Sequence, residues 1–345
     1  MLAPLDIFDP SSYPTRRDEE WKYSDLSRVL RAAPSRPKRY FGAYDGDTGP
    51  AGFRVFISGG DDYSQLPIEQ KLANGKLTII HVPNGDGDFS GYQGGGHIAL
   101  KDGESLILFE RYMGADAYVQ NTALDISLGE GASLARIVIL DEPADAVSIR
   151  RSTVKTAPGS RFRQYVFSTG AQFQRFETHV DHAGHGAEVE LHGAYLLKDK
   201  RHFDLTTRVT HGQIDGVTNQ LIKGLVQDSA TGVFQGRILV ERGADGTDAR
   251  MRHQALILND GAHIRAKPEL EIYADDVQCA HGNTIGALDQ EALFFAMSRG
   301  IPEDAARAML TQAFVLPVAD LIEDEQIRDT VIEFLNRHTE ALHGL

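Results

Sequence analysis

Four stretches of the chain repeat one pattern: KDGESLILF (101–109), GEGASLARIVIL (129–140), APGSRFRQYVF (157–167) and GHGAEVELHGAYL (184–196). The turn glycines lie 28, 28 and 27 residues apart, at Gly103, Gly131, Gly159 and Gly186. Alternating apolar and polar residues follow each glycine, as is typical of a strand with one buried face. Short strand units on a constant period predict a parallel β-helix, in which each unit buries its apolar face on its neighbours. An antiparallel sandwich of regular hairpins is the alternative.

The sequence changes character on both sides of this core. Residues 1–90 form a mixed, loop-rich region with a short predicted helix that begins near Asp18 and two strand-like runs. Residues 91–286 carry the repeat. In residues 287–345, apolar side chains recur at helical spacing, as at Ile327, Val331, Phe334 and Leu335. We therefore expect a β-helix core with an N-terminal mixed or helical region and a C-terminal helical cap, which can protect the open end of a solenoid.

The composition excludes several classes of protein. With 49 acidic and 35 basic side chains the formal net charge is −14, which disfavours binding to nucleic acid or to an anionic membrane. No apolar run is long enough to span a membrane, and the first residues do not resemble a secretory signal, so we expect a cytoplasmic protein. The single cysteine cannot form an internal disulfide or hold an iron–sulfur or zinc site alone.

Histidines supply one hypothesis for a metal site. The chain has 13 of them, and three are spaced i, i+3, i+6, at His179, His182 and His185. Imidazole is a common metal ligand, so a stand-alone metalloprotein is one alternative. Successive strand residues face opposite sides, however, so a run of this spacing does not guarantee that the rings converge. Phosphate-binding P-loop, G-x-S-x-G and H-E-x-x-H motifs are absent from the sequence.

Cys279 and His281 supply a second hypothesis. One strand position separates them, so their side chains share a face, and a thiolate beside an imidazole suits iron or zinc. They would be two ligands of an incomplete set. A Cys/His nucleophilic pair and a buried cysteine beside a hydrogen-bonded histidine are the alternatives.

The surrounding sequence resembles a known family. The run KPELEIYADDVQCAHGNTIG (267–286) is similar to the signature of the SufB/SufD family of iron–sulfur cluster assembly proteins, and its Cys-x-His-Gly form favours the SufD side of that family. Further similar segments are residues 14–26, 204–211, 234–238 and 293–301. Ala280, Asn283 and Phe295 stand where the family more often has serine, alanine and tyrosine.

This resemblance implies a right-handed parallel β-helix and a noncatalytic scaffold subunit. It implies two partners, a SufB-like paralogue and a SufC-like ABC-type ATPase that docks on residues 287–345. His281, with Cys279 beside it, would help to hold iron or a transient iron–sulfur cluster at the interface with the paralogue, and no stable cofactor is expected on the isolated chain. Without its partner, the exposed β-helix edge makes a homodimer plausible. A β-helix enzyme that acts on polysaccharides is the remaining alternative.

Overall fold

The computed structural model describes residues 5–36, 50, 54–58, 75–83 and 89–345. The other residues of the predicted N-terminal region, 37–49, 51–53, 59–74 and 84–88, lie outside the described residues, as do residues 1–4. Among the described residues, no helix combines the length and apolar character that a membrane span requires.

The core consists of two parallel sheets between which the chain alternates. The nine-stranded sheet contains β1 (Arg54–Ser58), β2 (Lys76–His81), β4 (Ser105–Tyr112), β6 (Ser133–Leu140), β8 (Arg161–Ser168), β10 (Glu188–Leu197), β12 (Val217–Val226), β14 (Asp248–Ile257) and β16 (Gln278–Gly286), in that order. The seven-stranded sheet contains β3 (Ser90–Leu100), β5 (Tyr118–Leu128), β7 (Val147–Lys155), β9 (Phe173–His182), β11 (His202–His211), β13 (Thr231–Val240) and β15 (His263–Ile272). From β3 onward each turn contributes one strand to each sheet, so the described chain forms a parallel β-solenoid of seven turns.

The predicted period sets the register of the strands. Ser105 pairs with Ser133, Ser133 with Arg161 and Arg161 with Glu188, which reproduces the spacing of the turn glycines. All four glycines adopt a left-handed backbone conformation, with φ between 62° and 68°. In the next turn the equivalent position is Asp215, which has the same left-handed conformation, with φ of 57°. Because this residue is not glycine, the repeat could not be recognised here from the sequence. The parallel β-helix prediction is therefore confirmed, and the antiparallel sandwich is wrong.

Apolar side chains from the two sheets fill the space between them. The inward residues of neighbouring strands stack in rows, such as Leu106, Leu134, Phe162 and Val189. Because side chains alternate along a strand, each strand also presents an outer face that needs its own cover.

The terminal regions cover these outer faces. The N-terminal segment contains 3-10 helices Pro10–Ser12 and Glu19–Trp21 and helix α1 (Leu26–Val29), and it packs Trp21 and Leu26 against Val147 and Phe173 of the seven-stranded sheet. The C-terminal region contains α2 (Gln290–Ser298), α3 (Glu303–Val315), a 3-10 helix (Leu316–Leu321) and α4 (Glu325–Leu342). Its buried stripe Ile327, Val331, Phe334 and Leu335 packs on the nine-stranded sheet, in one cluster with Ile137 and Phe167.

The helical region therefore lies along one outer face, and the last turn of the solenoid stays open. Helical spacing predicted the buried stripe of α4 correctly. It did not indicate which surface the stripe would cover, because an apolar face fits any apolar partner.

Candidate functional site

The candidate site lies on β16, the last strand of the nine-stranded sheet. Within the described chain β16 pairs with β14 alone, so its other edge has no strand partner. Every residue of β16 is exposed except Cys279, which is half-buried. An open edge presents unpaired backbone N–H and C=O groups to any strand that approaches it.

Cys279 and His281 lie on the inner face of β16. Cys279 is paired in register with Ala249 and His281 with Met251, and both partners belong to the core between the sheets. Cys279 itself packs against that core. The structure thus places both predicted site residues on one face, at the open end of the solenoid. No group of three or more His, Cys, Asp or Glu side chains among the described residues could hold a metal ion.

Burial and the nearby charge of Asp248 raise the pKa of the Cys279 thiol, although a backbone hydrogen bond with Ala249 acts in the opposite direction. The thiol is therefore protonated at neutral pH. A thiolate is the form that attacks electrophiles and binds metals, so a cation or partner that binds here must displace the proton. The raised pKa argues against a self-activated Cys/His nucleophile.

A polar chain leads from the interior of the solenoid to the same strand. The Tyr195 hydroxyl on β10 lies 2.8 Å from Nε2 of His253 on β14, and Nδ1 of His253 lies 2.7 Å from Oδ1 of Asn283 on β16. Tyr195 and His253 are buried, whereas Asn283 is exposed. The sequence did not reveal this series of hydrogen bonds. Tyr195 and His253 are 58 residues apart, His253 and Asn283 are 30 apart, and none of the three side chains marks a motif.

The three spaced histidines do not converge. His179 lies on the outer face of β9, 3.6 Å from Glu177, whereas His182 faces the interior and stacks on His211 with ring centroids 4.4 Å apart. His185 is exposed and lies 3.1 Å from an oxygen of Asp215. The structure therefore does not support the hypothesis of a stand-alone metal site built from these rings.

Three of the segments that carry the family resemblance meet in space: residues 14–26, 204–211 and 234–238. Ser24 Oγ donates to the carboxylate of Asp204, and Arg208 pairs with Glu20. Nε2 of Gln235 donates to the carbonyl of Glu20 across 3.2 Å. The N-terminal motif is thus a segment that docks on β11 and β13.

A buried charge cluster lies under this segment. Arg175 has no exposed side-chain surface, pairs with Asp204 and with Glu177 (2.5 Å), and lies 4.2 Å from the ring centroid of Trp21. Burial raises the pKa of Glu177, but the charges of Arg175 and Arg151 outweigh it and lower that pKa to about 2. The carboxylate is ionised and paired, so this cluster holds the N-terminal segment in place.

Exposed apolar side chains occur on the C-terminal helices. Phe294 and Phe295 of α2 are 73% and 60% exposed, and Met309 of α3 is 53% exposed. The buried side of α3 is formed by small residues such as Ala308 and Thr311. Adjacent exposed aromatic side chains are typical of a surface that binds another protein.

The fold and the site together define a parallel β-solenoid protein with a cysteine and a histidine on an open terminal strand. Residues 82–314 match the family model described as "SUF system FeS cluster assembly, SufBD core domain". The match covers well over half of the chain, which therefore belongs to the SufBD family of iron–sulfur cluster assembly proteins. This confirms the predicted family and favours cluster assembly over the polysaccharide-active alternative.

Several relatives agree with this family. The chain is 31% identical over 205 residues to an iron–sulfur cluster assembly SufBD family protein of Synechocystis sp., covering 59% of this chain. It is 28% identical over 236 residues to the chloroplastic protein ABCI7 of Arabidopsis thaliana, covering 67% of this chain. It spans about half the length of these two relatives, 45% and 50% respectively. It is 24% identical to the Escherichia coli iron–sulfur cluster assembly protein SufD, over 92% of this chain and 88% of SufD.

Proposed function

We propose that this chain is the SufD-like subunit of a cytoplasmic scaffold for iron–sulfur cluster assembly, and that it has no catalytic activity of its own. The observation that carries the proposal is the placement of Cys279 and His281 on one face of an open terminal strand. There they would contribute to the site from one side while a partner approaches from the other.

The cargo of this site is iron or a nascent iron–sulfur cluster. Cys279 supplies a soft sulfur donor and His281 a borderline nitrogen donor, and both suit iron in these clusters. Two donors make an incomplete set, so a SufB-like paralogue supplies the remainder. The raised pKa of the Cys279 thiol implies that cargo binding releases a proton from it.

The open edge of β16 is the surface on which the paralogue pairs. Its exposed backbone can add a strand from another solenoid, a common mode of protein association. The same edge would let two copies of this chain pair when the paralogue is absent, which gives a homodimer.

The exposed aromatic surface of α2 is the docking site for a SufC-like ABC-type ATPase. Phe294 and Phe295 are large apolar anchors of the kind that dominate binding energy at interfaces. ATP hydrolysis belongs to that partner. The resulting rearrangement would expose the shared site at β16 to its cargo.

Co-expression of the chain with its paralogue and an ABC-type ATPase tests this proposal. We expect one complex to co-purify and to form a cluster when reconstituted anaerobically with ferrous iron and sulfide. His281→Ala and Cys279→Ala should leave the complex intact and lower the iron retained. His263→Ala is the matched control, because His263 is an exposed histidine on β15, which precedes β16 in the sequence and belongs to the other sheet. Wild-type iron retention in both site variants would contradict the ligand assignment.

A second pair of changes tests the docking surface. Phe294→Ser combined with Phe295→Ser should remove the ATPase from the purified complex and leave the paralogue bound. If the ATPase still co-purifies at the wild-type ratio, α2 is not its docking site.

A further inference from the structure

We propose that Asn283 is a third contributor to the site on β16: its side-chain amide donates a hydrogen bond to a sulfur atom of the cargo, and His253 and Tyr195 position it. This inference rests on the proposed function, because it assumes that Cys279 and His281 bind an iron–sulfur species.

The hydrogen bonds fix which end of the Asn283 amide faces the cargo. Oδ1 of Asn283 accepts from Nδ1 of His253 across 2.7 Å. Burial lowers the pKa of His253 to about 4, so the ring is neutral at pH 7 and carries one proton, on Nδ1. Nε2 therefore accepts from the Tyr195 hydroxyl across 2.8 Å. Among the described residues no acceptor takes the Nδ2 protons of Asn283, so they remain free for a ligand.

The packing between β10 and β14 leaves room for the hydrogen bonds from Tyr195 to His253 and on to Asn283. Tyr195 on β10 and His253 on β14 are separated by β12, where Gly224 is paired in register with Tyr195. A Cβ at position 224 would overlap the ring of Tyr195, so the absence of a side chain lets the phenol reach across β12. Phe234 stacks on the His253 ring, with centroids 5.0 Å apart. The imidazole thus has a fixed orientation, and it fixes the amide in turn.

Asn283 lies next to the proposed ligands. Cys279, His281 and Asn283 occupy alternate positions of one strand, so the side chains of all three share the inner face. Successive members are separated by roughly 7 Å along the strand. An iron–sulfur cluster held by His281 therefore extends within reach of the Asn283 amide.

The chemistry favours an amide donor at this position. Sulfide and thiolate in these clusters carry negative charge, and hydrogen bonds to the sulfur atoms shift the reduction potential. Asparagine supplies two N–H donors without a charge of its own. Such a group stabilises the cargo and does not compete with Cys279 or His281 for iron.

The test uses the complex with the paralogue and the ATPase, reconstituted anaerobically with ferrous iron and sulfide. Three quantities are measured: the iron retained during a chelator challenge, the reduction potential of the cluster, and the unfolding midpoint of the complex. Asn283→Ala should shorten retention roughly tenfold, as expected for loss of a hydrogen bond to a charged group, and make the potential more negative. Asn283→Asp should do the same, because aspartate keeps the acceptor for His253 and lacks the N–H donors.

His253→Phe tests the positioning role. It keeps the stack on Phe234 and removes both hydrogen bonds, so retention should fall by a smaller factor than in Asn283→Ala. In the Asn283→Ala background it should have no additional effect on retention or potential, because the group that it positions is gone.

The outcomes separate the two proposals. If His281→Ala loses iron while both Asn283 variants keep wild-type retention and potential, the donor role is wrong and the proposed function stands. If the Asn283 variants lower only the unfolding midpoint, their role is structural and the inference is again wrong. Wild-type retention in His281→Ala and Cys279→Ala would overturn the proposed function, and this inference with it.

Discussion

In the solenoid turns before the last one, here called the middle turns, several charged side chains are fully buried and paired, as in Arg136 with Glu110, and the outer faces are covered by the terminal segments. On the last turn, Cys279, His281 and Asn283 lie on the same inner face, at an open end. One repeat thus gives two environments. Arg136 and Glu110 in the earlier turns neutralise each other and stabilise the fold, whereas polar groups of the last turn keep donors and acceptors available to a partner.

The largest expected effect comes from breaking a buried charge cluster. Arg175→Ala leaves Glu177 and Asp204 buried without their main countercharge, so the free energy of unfolding should fall by about 3–5 kcal/mol. Arg250→Ala is the control, because Arg250 is exposed and its ion-pair partner among the described residues is Asp248; its cost should be far smaller, since solvent screens an exposed ion pair. Urea denaturation measures the free energy of unfolding of both variants. Equal decreases would contradict the expected difference between a buried and an exposed ion pair.

The next largest effect is expected from acidification, which should destabilise the buried interior of the core. Burial lowers the pKa of His81 and of His211 to about 3, whereas an unfolded histidine titrates near 6.5. Between those values the unfolded chain binds more protons than the folded chain, so stability falls as the pH drops. From pH 7 to pH 5 the loss should be roughly 2–4 kcal/mol for the two rings together. Denaturation midpoints that stay constant over this range would contradict it.

How far the sequence predicts this contrast depends on the range of the interactions. The glycine period and the alternation of apolar residues are local, so they predicted the register and placed Cys279 and His281 on one face. The burial of Arg136 was not predictable, because a charged residue in a strand usually faces water and only the opposing sheet shows otherwise. The hydrogen bonds that link Tyr195, His253 and Asn283 were also not predictable, because they join residues that are far apart in the sequence.

A smaller effect is expected where the interior is tightly packed. Gly224→Ala places a methyl group against the Tyr195 ring and should cost about 1–3 kcal/mol. Gly282→Ala on β16 is the matched control, since nothing lies within contact distance of a Cβ there. Differential scanning calorimetry should show a lower melting temperature for the first variant only. A similar decrease in both would mean that the last turn is packed as tightly as the middle turns.

The smallest effect on stability is expected at the site itself. His281 is exposed, so His281→Ala should change the free energy of unfolding by less than about 0.5 kcal/mol. The same variant should nevertheless lower iron retention in the reconstituted complex. A large loss of stability would show that His281 has a structural role, like the buried residues of the middle turns. The proposed difference between the last turn and the middle turns would then be wrong.

The docking of the N-terminal segment also constrains the order of events during synthesis. Lys267 pairs with Glu19 at a separation of 248 residues, and Asp204 accepts from Ser24 at a separation of 180. At translation rates of about 5–20 residues per second, the first segment waits for roughly ten seconds or more before its last partner strand is made. Until Val147 and Phe173 have been made, Trp21 has no native surface to cover. The newly made N-terminal segment therefore exposes Trp21 as an apolar surface that a chaperone can bind.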